Sequence, residues 1–476
     1  MKKLLLLFML LLYVLNMQAQ KKWSLEDCIK YALENNIQIK QSQLNAESEK
    51  ISALQSKLGV LPNLNGSVGH NYSWGRNIDP SSNSYTDQQT QSNSFSLTSS
   101  VDLFNGFQKV NTIRQSQSNY MASKYDVEKM KNDIVLRIGQ AYLQILFNKE
   151  QVEISQNQVD ISNMQIERTK KLFEAGTIAK GNLLDIQAQG ALEEANLVAA
   201  QNQLELSYLD LTQLLDLKST TDFDIVKPDI KMESEVTLVP ANQVFAYAAG
   251  VMPEIKSAEH RLESSYRGLA IARSSRYPSL SLSGYYGSNY ADNFLDYTRI
   301  KSMSTITGMP TNYTVAGTGE KIVQQMTNYE FEKMSFKDQL NNNLSKSLRF
   351  TLNIPIFNGY QVNANISKAK LNTLNADYNL QTAKNQLQKS IEQASADAQG
   401  AYKSYYASQK AVTSFQEAFN YTQQKFDVGM MNSVDYNDAK NKLIKSQSDL
   451  LKAKYNFIFK KVILDFYQGN PITLSK

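Results

Sequence analysis

Leu352-Asn353-Ile354-Pro355-Ile356-Phe357-Asn358-Gly359-Tyr360 joins two patterns: a strand-like run leads into Phe-Asn-Gly, and a long helical pattern leaves it. The same junction stands earlier as Val101-Asp102-Leu103-Phe104-Asn105-Gly106-Phe107. Gly106 and Gly359 are 359 − 106 = 253 residues apart. Further on lie Phe173-Glu174-Ala175-Gly176 and Phe426-Asp427-Val428-Gly429, whose glycines are again 429 − 176 = 253 residues apart. Two landmarks at one offset read as a single unit written twice, and such a repeat governs every later assignment.

Before each junction the apolar period is two. Leu64, Gly66, Val68, His70, Tyr72 and Trp74 alternate with Asn63, Asn65, Ser67, Gly69, Asn71 and Ser73. Phe95, Leu97, Val101 and Leu103 alternate with Ser94, Ser96, Thr98, Ser100 and Asp102. The spacing predicts strands over about 63–74 and 94–104, and over 279–290 and 344–357 in the second copy. Strands of this length span a bilayer at barrel tilt; a half-buried sheet of a soluble domain carries the same alternation. Tyr72 and Trp74 suit an interfacial aromatic girdle. Between the second pair, 291–343 reads as an enlarged polar loop: Pro278 to Phe357 is 79 residues, whereas Pro62 to Phe104 is 42.

After each junction the pattern is helical. Ile138, Ile145, Val152, Val159, Ile166 and Phe173 recur every seven residues, and Ala141, Asn148, Ser155, Ser162 and Thr169 follow three places on. This is a coiled-coil repeat with thin, polar packing positions, suited to a wall that is wet on one side. Helices of this length would run for about 100 Å. Leu183, Leu197, Leu204 and Leu211 mark the return, with Gly190 in the gap. Shorter helices precede the strands, over 23–58 with Ser24 as its cap and over 241–275. The expected organisation is a leader over 1–19, a first repeat over 20–217 with its helical hairpin at 107–217, and a connector over 218–240. A second repeat over 241–468 follows, with its hairpin at 359–467, and then a loose tail over 469–476.

The leader assignment rests on Lys2-Lys3, the apolar run Leu4–Leu15 and Ala19 before the cut, the layout of a secretory signal. The competing reading is a membrane anchor, for which a run of about a dozen residues is short. With Cys28 as the only cysteine, the chain can form no internal disulfide. A net charge of +5 without a dense basic cluster gives no case for nucleic acid. No catalytic constellation, phosphate loop or Cys/His metal cluster is legible, so neither catalysis nor a cofactor or metal is expected.

Four strands cannot close a barrel, and open edges are not tolerated in lipid. Three chains would supply twelve. The fold class expected is therefore mostly α with a membrane β-barrel: a trimeric twelve-stranded barrel continued by an α-helical tunnel.

At this point the sequence resembles the TolC-type outer-membrane efflux proteins over nearly its whole mature length. The Phe-Asn-Gly junctions and the two glycine-marked tips carry the likeness. The resemblance implies a homotrimeric duct in the outer membrane with its helical part in the periplasm. It also implies docking to a periplasmic adaptor and, through it, to an inner-membrane transporter. By that resemblance Asp435 and Asp438 correspond to aspartates lining a closed periplasmic entrance. Three copies would gather six carboxylates; the same acids also suit a helix N-terminus for dipole reasons. Met431 and Asn182 stand where family members carry a locking arginine–aspartate pair, and Phe426 stands where they carry a gate tyrosine. The tips Phe173, Gly176, Thr177, Ile178, Gly429 and Met430 form the expected docking surface for the adaptor. Two other classes compete: a structural coiled-coil or surface adhesin without transport, and the adaptor itself.

Overall fold

The computed structural model describes residues 22–78, 85–87, 89–219, 223–228 and 239–473. The leader and most of the connector lie outside the described residues. In chain order the elements are α1 (Leu25–Asn35), α2 (Ile37–Leu58), β1 (Asn65–Ser73), β2 (Arg76–Ile78), β3 (Tyr85–Asp87), β4 (Thr90–Asn105), α3 (Gln108–Glu174) and α4 (Lys180–Leu214). Then come α5 (Ala241–Val251), α6 (Pro253–Ser274), β5 (Ser279–Ala291), β6 (Leu295–Thr314), β7 (Lys321–Lys333), α7 (Phe336–Asn342), β8 (Ser345–Asn353), α8 (Gln361–Asp427) and α9 (Ser433–Tyr467). The long helices α3 and α8 have 67 residues each, and their returns α4 and α9 have 35 each. Two compact units emerge, one from 53–114 and 267–370 and one from the remainder. Among the described residues, no helix is long and apolar enough to cross a membrane.

The unit containing 53–114 and 267–370 holds an antiparallel sheet in the order β1-β4-β5-β8. Its register sorts side chains by chemistry, because successive residues of a strand point to opposite faces. On one face Val68 lies opposite Phe95, Leu97 opposite Tyr286, and Leu282 opposite Phe350. On the other, Ser67 faces Ser96, with their hydroxyls 2.8 Å apart, and Ser100, Ser283 and Arg349 form one row. The apolar face is bare: Val68 is 76% exposed and Leu348 75%.

Two expectations are corrected here. Strand β8 stops at Asn353 rather than at Phe357, because Pro355 has no N–H for a ladder; Ile356 and Phe357 are exposed. The segment 291–343 is not a plain loop. Strands β6 and β7 pair as a two-stranded ribbon, and α7 follows, capped by Ser335, whose Oγ accepts the Asp338 N–H at 3.2 Å. Buried Gln339 secures α7 to β5 by accepting the Ala291 N–H and donating to the Ala291 carbonyl, both at 2.9 Å.

Each strand-to-helix junction turns on two consecutive residues in the left-handed region. These are Gly106 (φ 61°) with Phe107 (φ 65°), and Gly359 (φ 58°) with Tyr360 (φ 68°). A side chain at Gly106 would meet the Ser274 carbonyl at 2.7 Å, so both the turn and its packing call for glycine.

The stretches 23–58 and 241–275 are each two helices rather than one. Asn36 divides the first: its N–H closes α1 on the Ala32 carbonyl, and its Oδ1 accepts the Gln38 and Ile39 N–H groups that open α2. Met252 holds the equivalent place before Pro253, which needs no N–H partner at a first helical position. The main core gathers Leu25, Cys28, Ile134, Ile138, Ile145 and Leu211. Burial, with help from Asp27 and Glu26, pushes the Cys28 thiol up to about 12. Tyr142 donates its hydroxyl to the Trp23 and Val226 carbonyls, fixing the start of the described chain against 223–226. Asp224 there accepts from Lys149 at 2.5 Å and Tyr208 at 2.7 Å. Burial opposes its charge, but these bonds and the Ile225 N–H outweigh that and hold the carboxyl well below the usual range.

The polar seam of α3 also differs from the expected wet wall. Asn148, Ser155, Ser162 and Thr169 are buried, and Asn148 donates to the Gln203 carbonyl of α4 at 3.0 Å. Small polar side chains let the helices come close, as at Gly190, where an added Cβ would meet Ile166 at 2.8 Å. The tail is partly ordered too: Ile472 is 7% exposed and joins the main core.

Candidate gate and docking tips

Both long helices end in the same hydrogen-bond motif. Gly176 N–H donates to the Phe173 carbonyl (2.9 Å) and Thr177 N–H to Leu172 (3.0 Å). Gly429 N–H donates to Phe426 (3.1 Å) and Met430 N–H to Lys425 (2.9 Å). This is the Schellman arrangement, which needs a left-handed residue at the turn; Gly176 and Gly429 supply φ of 73° and 76°. The turns leave Gly176, Thr177, Gly429 and Met430 exposed, with Phe173 and Ile178 half-buried. The returns close in the same way at Asp216 (φ 55°) and Gly469 (φ 87°), a third pair at 469 − 216 = 253.

The helices leaving the tips start differently. Ala179 gives α4 no side-chain cap. Asn432 caps α9: its Oδ1 accepts the Asp435 N–H at 2.8 Å and its Nδ2 donates to the Asp435 carboxylate at 3.0 Å. Asp435 therefore serves the helix start within one chain. Asp438 pairs with Lys442 at 2.7 Å, one turn on, with both side chains exposed. Phe426 stacks on Tyr436 at 4.5 Å, and Phe419 approaches the same ring at 5.5 Å. These rings and Leu443 form a small core behind the tip. Met431 and Asn182 are half-buried, one just before the Asn432 cap and the other in the first turn of α4.

Two contacts joining the hairpins were not foreseen from sequence. Arg168 of α3 pairs with Asp427 at the end of α8 and also donates to its carbonyl at 3.1 Å. Deeper, Lys440 of α9 meets Glu193 of α4 at 3.0 Å, each side chain 4% exposed. Lys440 donates to Ser162 Oγ of α3 at 2.7 Å, Ser162 donates to Glu193, and Gln189 donates to Glu193 at 3.2 Å. Sequence held one signal: Tyr436, Lys440 and Leu443 follow 4,3 spacing, which puts a lysine on an apolar helix face.

Such a pair fixes how the helices fit more than it adds net stability, and breaking it strands a buried charge. Lys440→Met alone should therefore cost about 3–5 kcal/mol. Pairing it with Glu193→Met should recover much of that loss. Thermal unfolding of the detergent-solubilised protein, with Glu193→Met measured alone as well, checks this: a double-variant loss equal to the sum of the two single losses would mean the two charges are not coupled.

The sequence profile described as "Outer membrane efflux protein" matches residues 28–216 and 248–469. The chain is 24% identical over 352 residues to the outer membrane protein TolC of Vibrio cholerae, covering 72% of this chain and 68% of that one. It is 22% identical over 425 residues to the TolC of Escherichia coli (strain K12), covering 88% and 76%. Its fold is similar to that of the outer membrane protein VceC of Vibrio cholerae, with a TM-score of 0.75 at 15% identity over 94% of this chain and 96% of that one. The Campylobacter jejuni CmeC outer membrane channel gives 0.72 at 16% identity over 95% and 87%. With both repeats matched by the one profile, the chain belongs to the outer membrane efflux protein family.

Proposed function

We propose that this chain is the outer-membrane exit duct of a tripartite efflux or type I secretion system, passing substrates from an inner-membrane pump to the exterior. The observation that carries the reading is the sheet: one bare face that is mostly apolar, interrupted by Lys346 over the Tyr286 ring and by the His70–Asn93 pair, one serine-rich face and strands of bilayer-spanning length. Its outer strands β1 and β8 each have one paired neighbour among the described residues. Three copies pairing β8 to β1 would give a closed twelve-stranded barrel, apolar toward lipid and polar toward the lumen. The two helical hairpins of each copy would build a periplasmic tunnel. The competing adhesin reading has no use for a sheet of this kind in a chain of this family.

Detergent-extracted protein should have a mass near three chains and conduct ions in planar bilayers. A monodisperse single chain that conducts nothing would sink the proposal.

We assign docking of the periplasmic adaptor to the tips around Phe173, Gly176, Thr177, Ile178, Gly429 and Met430. A β-branched residue in the left-handed region costs roughly 1–2 kcal/mol and distorts the turn. Gly176→Val combined with Gly429→Val should leave trimers in the membrane while impairing export and adaptor cross-linking. Normal export by that variant would remove the tips from the docking surface.

Asp435 and Asp438, close to the Phe426 cluster, are assigned to the entrance, where three copies would bring six carboxylates together. Grouped carboxylates attract cations. Asp435→Asn with Asp438→Asn should lower cation selectivity and relieve block by multivalent cations. Unchanged conductance with a small stability loss would instead leave both acids with their helix-start and Lys442 contacts alone.

A further inference from the structure

Unlike the entrance, the lumenal face of the sheet is nearly free of acids. Among the described residues of its four strands, that face carries two charged side chains, Asp102 and Arg349. Asp102 is matched by Lys109 at 3.1 Å. Arg349 lies one row further along, in line with Ser283 and Ser100. No carboxylate pairs with it among the described residues. It lines a pocket of 380 Å³ with Asn63, Thr98, Ser100, Ser283 and Ser347. Asn63 is held there by its Oδ1, which accepts the Ser100 N–H at 2.7 Å and the Ser100 hydroxyl at 3.1 Å. That leaves its NH₂ group as the donor end. One guanidinium, two amides (Asn63 and Asn65) and several hydroxyls, without an acid, are the donor set of an anion site.

The position of Arg349 sharpens this. Strand β8 is an edge, so in a closed barrel its second neighbour is β1 of the next copy. Strand β1 reads Asn-Gly-Ser-Val-Gly-His-Asn-Tyr-Ser and contains no acid. Neither flank can neutralise Arg349. This step rests on the exit-duct reading above, since it takes the serine-rich face as lumen.

The geometry points to a ring of three Arg349 guanidiniums in the barrel lumen that binds anionic solutes, those bearing phosphate, sulfonate or carboxylate groups, on their way out. Fixed charge on a pore wall concentrates the counter-ion and biases permeability.

The test compares wild type with Arg349→Ser, Arg349→Glu and Arg349→Lys in planar bilayers under a KCl gradient, with inorganic pyrophosphate as the probe. Serine matches the surrounding face, and a heat-stable trimer on a gel shows assembly. Wild type and Arg349→Lys should be blocked by pyrophosphate, and Arg349→Ser should lose the block. The cation-over-anion permeability ratio should rise about threefold from Arg to Ser, and further to Glu, the scale of a screened unit charge a few ångströms from the ion's path. Identical selectivity and block in the wild type and the Ser and Glu variants would overturn the ring while leaving a conducting trimer. A wild type that forms no channel would overturn the exit-duct reading, and the ring with it.

Discussion

The constraint on which the architecture depends is the backbone hydrogen bond at the edge of a sheet. A four-stranded sheet with one apolar face presents rows of N–H and C=O groups along β1 and β8 that water must serve if protein does not. In hydrocarbon no water is present, so closure with further strands becomes obligatory. The bare apolar face adds a second demand, since Val68, Leu348, Phe350 and Leu352 gain only by leaving water. The paired left-handed residues at 106–107 and 359–360 follow from the same need, because each strand must hand over to a helix abruptly.

Much of this was legible in the sequence for a physical reason. A left-handed backbone leaves a glycine in the text, and a half-buried strand leaves an alternation of two. The two junctions, the two tips and the faces of β1, β4, β5 and β8 all write themselves in this way. The third turn pair was harder to see because copy one uses Asp216 where copy two uses Gly469. Short aspartate tolerates the left-handed region better than most side chains, so the turn was kept while its marker was lost.

Other features were illegible because polarity does not reveal burial. Asn148, Ser162 and Thr169 read as wet positions, yet they are buried. The ribbon of β6 and β7 was missed because its polar composition and glycines resemble loop chemistry, while its pairing is a property of two segments together. At the tips the sequence located the glycines and the acids, but not their employment. Asp435 answers Asn432, Asp438 answers Lys442, and Phe426 rests on Tyr436. The Lys440–Glu193 pair breaks the internal symmetry: the positions equivalent to Lys440 and Glu193 are Gln187 and Ser446. Duplication supplied the frame, and later substitution made the two hairpins chemically distinct partners.

The burial of Cys28 has a practical side. Burial holds its thiol protonated well above the usual range, and the sulfur is sealed in the main core, 0% exposed. To maleimides and other thiol reagents the folded chain should behave as though it contained no cysteine. Single cysteines placed on the tips, on the ribbon or along the serine-rich face can therefore be labelled one at a time in the native background. Spin-label distances and accessibility can then map the assembly without first removing a residue from its core.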